Sequence, residues 1–251
     1  MLTSNHFESD NLEDGLKALR SKLLTDGYEI KTESWQGKGP DEFPAHLELL
    51  HADLIVQMAA TAHEASTLLK ASQPWADVHH EERVGGLPLN PPPSHTMWLR
   101  DTEKYLSKDQ QAFSHSYPER MWCDTTTDGI RFKWGNLQTA VELLKKEPNT
   151  RQCYVPMWFP EDSTAALAGE RVPCTFGWHF MLRDGKLHCS YHMRSCDVCR
   201  HLHNDLYFAN RLVLWMIEQS GIDAVPGTLH FSATSLHCFV VDRYVLKNMV
   251  K

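Results

Sequence analysis

The 251-residue chain has no apolar run approaching the roughly 18 residues that a membrane-spanning helix requires. The segment Met1–Asp10 lacks the basic and apolar regions of a signal peptide. Positive charge is also not in excess: 25 Lys and Arg face 32 Asp and Glu, for a formal net charge of −7. A general nucleic-acid binder needs a basic face, so neither direct nucleic-acid binding nor a membrane partner is expected. A small anion held by a few local arginines stays compatible with this balance. Cysteine does not come in pairs: there are seven, in a chain long enough to build its own core. Reduced thiols in a cytoplasm are the simplest expectation. No internal repeat or low-complexity tract is evident.

What is present is ordinary for a globular chain, with 42% hydrophobic and 23% charged residues. The length fits one large domain, or one domain with an extension. Asn11 to Gly27 reads as an amphipathic helix capped by Asn11, with Leu12, Leu16, Leu19 and Leu23 on one face. Trp35 to Asp41 is turn-rich. Pro44 to Ser72 reads as a longer helix, with Leu47, Leu50, Leu54, Ile55, Met58 and Ala59 forming one face. Residues 1–80 are therefore expected to be an N-terminal helical extension. Gly85 to Pro93 can be neither helix nor central strand. Helices are expected over Asn136–Lys146 and Leu206–Gln219. Gly221 and Pro226-Gly227 read as breakers, and Thr228–Val241 as a strand.

The most informative stretch runs from Cys174 to Asp205. Two apolar, aromatic runs flank Asp184-Gly185, a strong signal for a type I′ hairpin turn, whose two central residues both need φ > 0. The hairpin brings Cys174 at the start of one strand near Arg194-Ser195 at the end of the next. A thiol beside a guanidinium and a hydroxyl suits a nucleophile next to a phosphate or carboxylate.

Pro173-Cys174, the hairpin, Arg194-Ser195-x-Asp197 and the polar segment after it resemble the core of the thymidylate synthase family. Arg194 follows Cys174 at that family's spacing, and the resemblance runs from about Leu87 to Phe239. Where the uridylate enzymes carry an Asn that reads uracil, this chain has Asp205, preceded by Asn204. That pair is similar to the deoxycytidylate hydroxymethylase branch. The resemblance implies an α/β (α+β) fold for residues 81–251: a mixed, mostly antiparallel sheet with helices on one face. It implies sheets packed back to back in a homodimer. It also implies 5,10-methylenetetrahydrofolate as the one-carbon donor.

Site residues follow from the same resemblance. Cys174 is the nucleophile. The resemblance places a helix over Thr96–Ser107 that carries the catalytic acid, which falls on Asp101 by one motif match and on Glu103 by counting from Leu87-Pro88; the two point to different sides of that helix, and Glu103 has the reach and type. Tyr117 to Trp122 resembles the family's stretch beside the cysteine, with Pro118 in place of Gly. Arg194 and Ser195 bind phosphate, joined by Arg151 from the second subunit; Gln152 replaces a second arginine there. Asp197 supports the base or the pterin. His237 contacts the sugar, and Phe239 replaces a Tyr that would also do so.

Asp205 carries an argument of its own. Cytosine presents an N3 acceptor and a C4 amino donor, whereas uracil presents an N3–H donor and an O4 acceptor. A protonated Asp matches cytosine at both atoms, and an ionised Asp matches N3-protonated cytosine. Against uracil O4 an ionised Asp opposes two acceptors, and such a mismatch can cost ~10⁴-fold in specificity. Thiolate addition to carbon 6 makes carbon 5 nucleophilic, and the acid orders water and relays protons. The resemblance of Asn204-Asp205 to the hydroxymethylase branch implies 5-hydroxymethyl-dCMP as the product. Methylation of dCMP, hydroxymethylation of CMP and a non-catalytic relative are the nearest alternatives. A rival of another class is a zinc-stabilised binding module built on Cys196, Cys199 and His201, with Cys189, His188 and His192 as loose further ligands.

Overall fold

The structure, a computed structural model, describes residues 5–31, 45–98, 106, 112–123 and 136–251. In chain order these form β1 (His6–Ser9), α1 (Leu12–Asp26), β2 (Tyr28–Ile30), β3 (His46–Gln57), α2 (Ala62–Leu69) and α3 (Trp75–Val84). A 3-10 turn at Pro93–Met97 precedes α4 (Tyr117–Met121), α5 (Leu137–Lys146), β4 (Tyr154–Pro156) and α6 (Glu161–Leu167). Then come β5 (Thr175–Arg183), β6 (Lys186–Asp197), α7 (Leu202–Ser220), β7 (Val225–Phe239) and α8 (Arg243–Met249). The strands make one mixed sheet in the order β1-β3-β7-β6-β5-β4, with β2 paired to β3.

The hairpin forms as its turn residues require. Asp184 and Gly185 take φ of 50° and 69° and join β5 to β6 at the Arg183–Lys186 pair. At the open end, Arg194 N donates to Cys174 O at 2.8 Å. The first helix is also as expected: Asn11 Oδ1 accepts from the amides of Glu13 and Asp14, and Leu12, Leu16, Leu19 and Leu23 are buried. Asn136 caps α5 in the same way, with Leu137, Val141 and Leu144 inward.

The helix expected over Pro44–Ser72 is overturned. His46–Gln57 is β3, the antiparallel neighbour of β7, and only Ala62–Leu69 is helical. Residues 1–80 are thus not a purely helical extension; they add β1, β2 and β3 to the sheet. The cause is a slip in alternation. Leu47 and Leu49 are buried, then Ala52, Leu54 and Val56, so the inward face changes from odd to even numbers at Leu50-His51. A period-2 pattern with one such slip imitates the three- and four-residue spacing of a helix. His51, with φ of 54°, marks the bend.

The slip crosses the sheet. On β7 the buried face changes at Thr234-Ser235, and on β6 at Arg194-Ser195. Ser195 pairs with Ser235, and Ser235 with Leu50. On β5 a register shift falls between Thr175 and Gly177. A bend shared by four strands therefore passes through the end of the hairpin that carries Cys174 and Arg194, where bulges commonly re-aim side chains.

Two further boundaries moved. Pro226 and Gly227 lie inside β7 rather than breaking it, at a shift in the β6–β7 register. A Cβ at Gly227 would stand 2.8 Å from His188 Nδ1, so close approach explains the glycine. Helix α7 starts at Leu202, earlier than expected, which puts Asn204 and Asp205 in its first turn. Most of the helix expected over Thr96–Ser107 lies outside the described residues.

Candidate active site

Cys174 sits just before β5, and its thiol is aimed by the bend at Arg194 of β6. Arg194 Nε donates to Pro173 O at 2.8 Å and Nη2 to Val172 O at 3.1 Å. These carbonyls hold Nη2 at 3.8 Å from Cys174 Sγ. Burial pushes the thiol pKa up, Arg194 and Arg171 pull it back, and Asp205 adds to the rise. Both Cys174 and Asp205 keep partial contact with solvent while lying deep among protein atoms, as groups on the floor of a cleft do.

Asp205 enters this cleft from the first turn of α7. Burial pushes its carboxyl up to about 7, against the pull of Arg83 and a contact from Cys196 Sγ at 3.8 Å. The Asp205 carboxylate is close enough for its charge to be felt at the Cys174 thiol. Beside them runs a chain of hydroxyls: Tyr117 Oη lies 3.0 Å from Thr175 Oγ1, which lies 2.9 Å from Tyr191 Oη. Burial, with Cys174 and Asp205 adding to it, pushes Tyr117 up to about 12, so its hydroxyl keeps its proton.

A family model for thymidylate synthase matches residues 96–250, more than half of the chain. The chain belongs to the thymidylate synthase family. A thymidylate synthase homologue of Methanothermobacter thermautotrophicus is 24% identical over 257 aligned positions, covering 97% of each chain. A second, from Methanosarcina barkeri, is 26% identical over 167 positions, 63% of this chain and 71% of its own. The Listeria monocytogenes serotype 4b thymidylate synthase is 31% identical over 112 positions, 41% of this chain and 34% of its own. Thermostable thymidylate synthase A from Bacillus subtilis shares the fold with a TM-score of 0.67 at 15% identity, over 95% of this chain and 83% of that one. The expected mixed α/β thymidylate synthase fold is therefore established.

The remaining expected residues of this thymidylate synthase-type site divide into those near the cleft and those elsewhere. Ser195 Oγ is 3.3 Å from His237 Nδ1, and burial with the neighbouring His46 pushes His237 down to about 4, so it is neutral. Asp197 Oδ1 accepts from the amides of Cys199 and Arg200, while Oδ2 is buried without a hydrogen bond, 3.5 Å from Arg200 Nε. Burial pushes Asp197 up to about 6. Asn204 points elsewhere: Oδ1 accepts from Ser72 N at 2.9 Å and Nδ2 donates to Ser72 Oγ at 3.1 Å. Arg151 is exposed before β4, with its carbonyl 3.0 Å from His179 Nε2. Asp101 and Glu103 lie outside the described residues. Phe239 is buried under the Arg200 guanidinium, 4.2 Å from its ring.

The zinc arrangement does not assemble. Cys196 meets Asp205, whereas Cys199 Sγ meets Cys238 Sγ at 3.5 Å. Among the described residues no group of three His, Cys, Asp or Glu is placed to hold a metal ion.

Sequence reasoning missed Arg83, Thr175 and Tyr191. Arg83 had a signal: Trp75, His79 and Arg83 recur every four residues on one side of α3, and all three meet the Phe208 ring of α7. Thr175 and Tyr191 are buried strand residues whose polar role shows only once β5 and β6 are paired.

Proposed function

We propose that this thymidylate synthase-family chain transfers a one-carbon unit to carbon 5 of a cytosine nucleotide, dCMP, and yields 5-hydroxymethyl-dCMP. The observation that carries the reading is the half-buried Asp205 carboxyl, pushed up by burial to about 7 and near enough for its charge to be felt at the Cys174 thiol. A carboxyl there complements the amino edge of cytosine and opposes O4 of uracil.

Cys174 Sγ adds to carbon 6, aided by the Arg194 charge, and later leaves from it. Arg194 and Ser195 hold the phosphate, and neutral His237 holds the sugar. The hydroxyls of Tyr117, Thr175 and Tyr191 fix the wall beside the sulfur. Asp101 or Glu103 orders the water that distinguishes a hydroxymethyl from a methyl product. When bound, 5,10-methylenetetrahydrofolate supplies the one-carbon unit, and Asp197, whose buried Oδ2 has no hydrogen bond and faces Arg200 Nε at 3.5 Å, would accept from its ring system.

A homodimer completes the site. Arg151 is exposed, and the half-buried side chains of Asp53, Ile55, Ser190, His192 and Ser232 alternate with core residues and so occupy the other side of the sheet. A second copy placed there brings its Arg151 to the phosphate. A cytoplasmic place suits seven free cysteines; among the described residues no helix is long and apolar enough to cross a membrane.

Tritium release from carbon 5 of labelled dCMP, with methylenetetrahydrofolate present, tests the reaction, and product mass separates hydroxymethyl from methyl. No release from dCMP, with release from dUMP, overturns the reading. Phe239 favours one variant of it: without a hydroxyl at that position, CMP is the second substrate to assay.

A further inference from the structure

Arg83 is a charge in this cleft to which the steps above give no task. It is 6% exposed and stacks between the rings of Tyr117, at 4.3 Å, and Phe208, at 4.1 Å. Its Nη2 donates to His79 Nε2 at 3.1 Å. That bond leaves the His79 proton on Nδ1, facing Ser94 Oγ and the Glu82 carboxylate. Arg120, Arg200 and Arg211 each pair with a carboxylate. Arg83 makes no ion pair among the described residues, and its Nε is buried without a hydrogen bond. The groups whose charge it feels are Tyr117, Tyr191, Asp205 and Glu82. A guanidinium taken out of water with an unused donor is costly unless something accepts from it. Ring stacking satisfies its faces but not its edge.

We propose that Arg83 is a base-reading residue, whose guanidinium edge donates to the N3 and O2 acceptors of the cytosine whose amino group the Asp205 carboxylate accepts. The inference rests on the cytosine-nucleotide reading of the site and sharpens it. Arg only donates and ionised Asp only accepts, so the two together match cytosine without a proton on Asp205. Uracil mismatches both: its N3–H faces a donor and its O4 faces an acceptor.

The same edge acts in the reaction. The thiolate lone pair forms the bond from sulfur to carbon 6. The π pair between carbons 5 and 6 moves to carbon 5 and, through carbon 4, onto N3 and O2. No other bond breaks, and the charge returns when carbon 5 forms its new bond. A fixed guanidinium at N3 and O2 stabilises the charge while it is there.

The test is equilibrium binding of dCMP and dUMP to the full-length protein, its Arg83→Met variant and its Arg83→Lys variant, at pH values on both sides of about 7. Losing a charge-assisted hydrogen bond lowers dCMP affinity in Arg83→Met by about 10- to 100-fold, while the weak dUMP binding changes little. The pH below which dCMP binding is lost also moves upward, because Asp205 without its cation ionises later. That shift reports the Arg83 charge alone, whereas a structural role without base reading lowers dCMP and dUMP binding together. Should Arg83→Met not fold, Arg83→Lys decides, since it keeps the charge without the flat donor edge: a reduced preference for dCMP over dUMP supports the proposal. An unchanged preference for dCMP over dUMP in both variants overturns it. A wild-type protein that binds dUMP and not dCMP brings down the cytosine reading itself, a result distinct from equal dCMP binding by wild type and Arg83→Met.

Discussion

The guanidinium of Arg194 stands 3.8 Å from Cys174 Sγ, and the carbonyls of Val172 and Pro173 fix it there. The cation therefore serves the sulfur before any phosphate arrives. Of the influences on this thiol, burial is the largest and raises its pKa, and Arg194 is the largest that lowers it. Replacing Arg194 with Met leaves burial unopposed by its main counterweight. The expected outcome is a thiol that alkylates only at higher pH than in wild type, read from the pH dependence of iodoacetamide incorporation at Cys174. Cys174→Ser is expected to abolish turnover with the fold intact by circular dichroism.

Asp205→Asn separates recognition from stability. With the amide in place, turnover of dUMP relative to dCMP is expected to rise by orders of magnitude, up to ~10⁴ where the mismatch is fully buried. Competition between the two nucleotides measures this ratio. Stability moves as well. The folded-state pKa of Asp205 is raised from 3.8 to about 7, so the folded state holds its proton longer than the unfolded chain. The native state thus loses stability as pH rises from about 4 to about 7, and by pH 8 the whole cost of the buried carboxylate is present. Asn carries no such cost. The variant should melt higher than wild type at pH 8, by the order of 1 kcal/mol or more, and the gap should close toward pH 4. A gap independent of pH contradicts the assignment.

Asn204 tests whether a residue adjacent in sequence to a reader also reads. Its amide is committed to Ser72, which ties the start of α7 to the segment leading into α3. Asn204→Ala is expected to cost about 1–3 kcal/mol of stability, because buried partners are left unsatisfied. The dCMP-to-dUMP preference should stay near that of wild type, in contrast to Asp205→Asn. A double-mutant cycle with Ser72→Ala measures how much of the loss belongs to this bracket.

The contrast between these neighbours shows where the sequence was legible. Asp184-Gly185 fixed a turn type, and with it the pairing that sets Arg194 against Cys174; such chemistry is local and survives reading along the chain. The caps at Asn11 and Asn136 were legible for the same reason. Strand β3 was not, because its alternation slips at Leu50-His51 in concert with Thr234-Ser235 of β7, and the cause of the slip lies in the partner strand. Asn204 and Asp205 read as a unit, yet their helix turns them to different neighbours. Arg83 was marked only by a stripe with Trp75 and His79, whose meaning depends on Phe208, far off in sequence.

Arg151 gives the last prediction. Its side chain is exposed before β4, whereas Cys174 is half-buried before β5. If each site takes Arg151 from the other copy, a site fails when it lacks either its own Cys174 or the neighbour's Arg151. Homodimers of Cys174→Ser and of Arg151→Ala are then both inactive. In a mixed dimer the two lesions fall on the same site and the other site is whole. Equal amounts, unfolded and refolded together, should recover about a quarter of wild-type activity, since half of the dimers are mixed and each has one good site. Recovery requires a shared site in a symmetric pair. Continued inactivity of the mixture, with mixed dimers present by native mass spectrometry, means that Arg151 serves its own chain, and an active Arg151→Ala homodimer means that it serves no site.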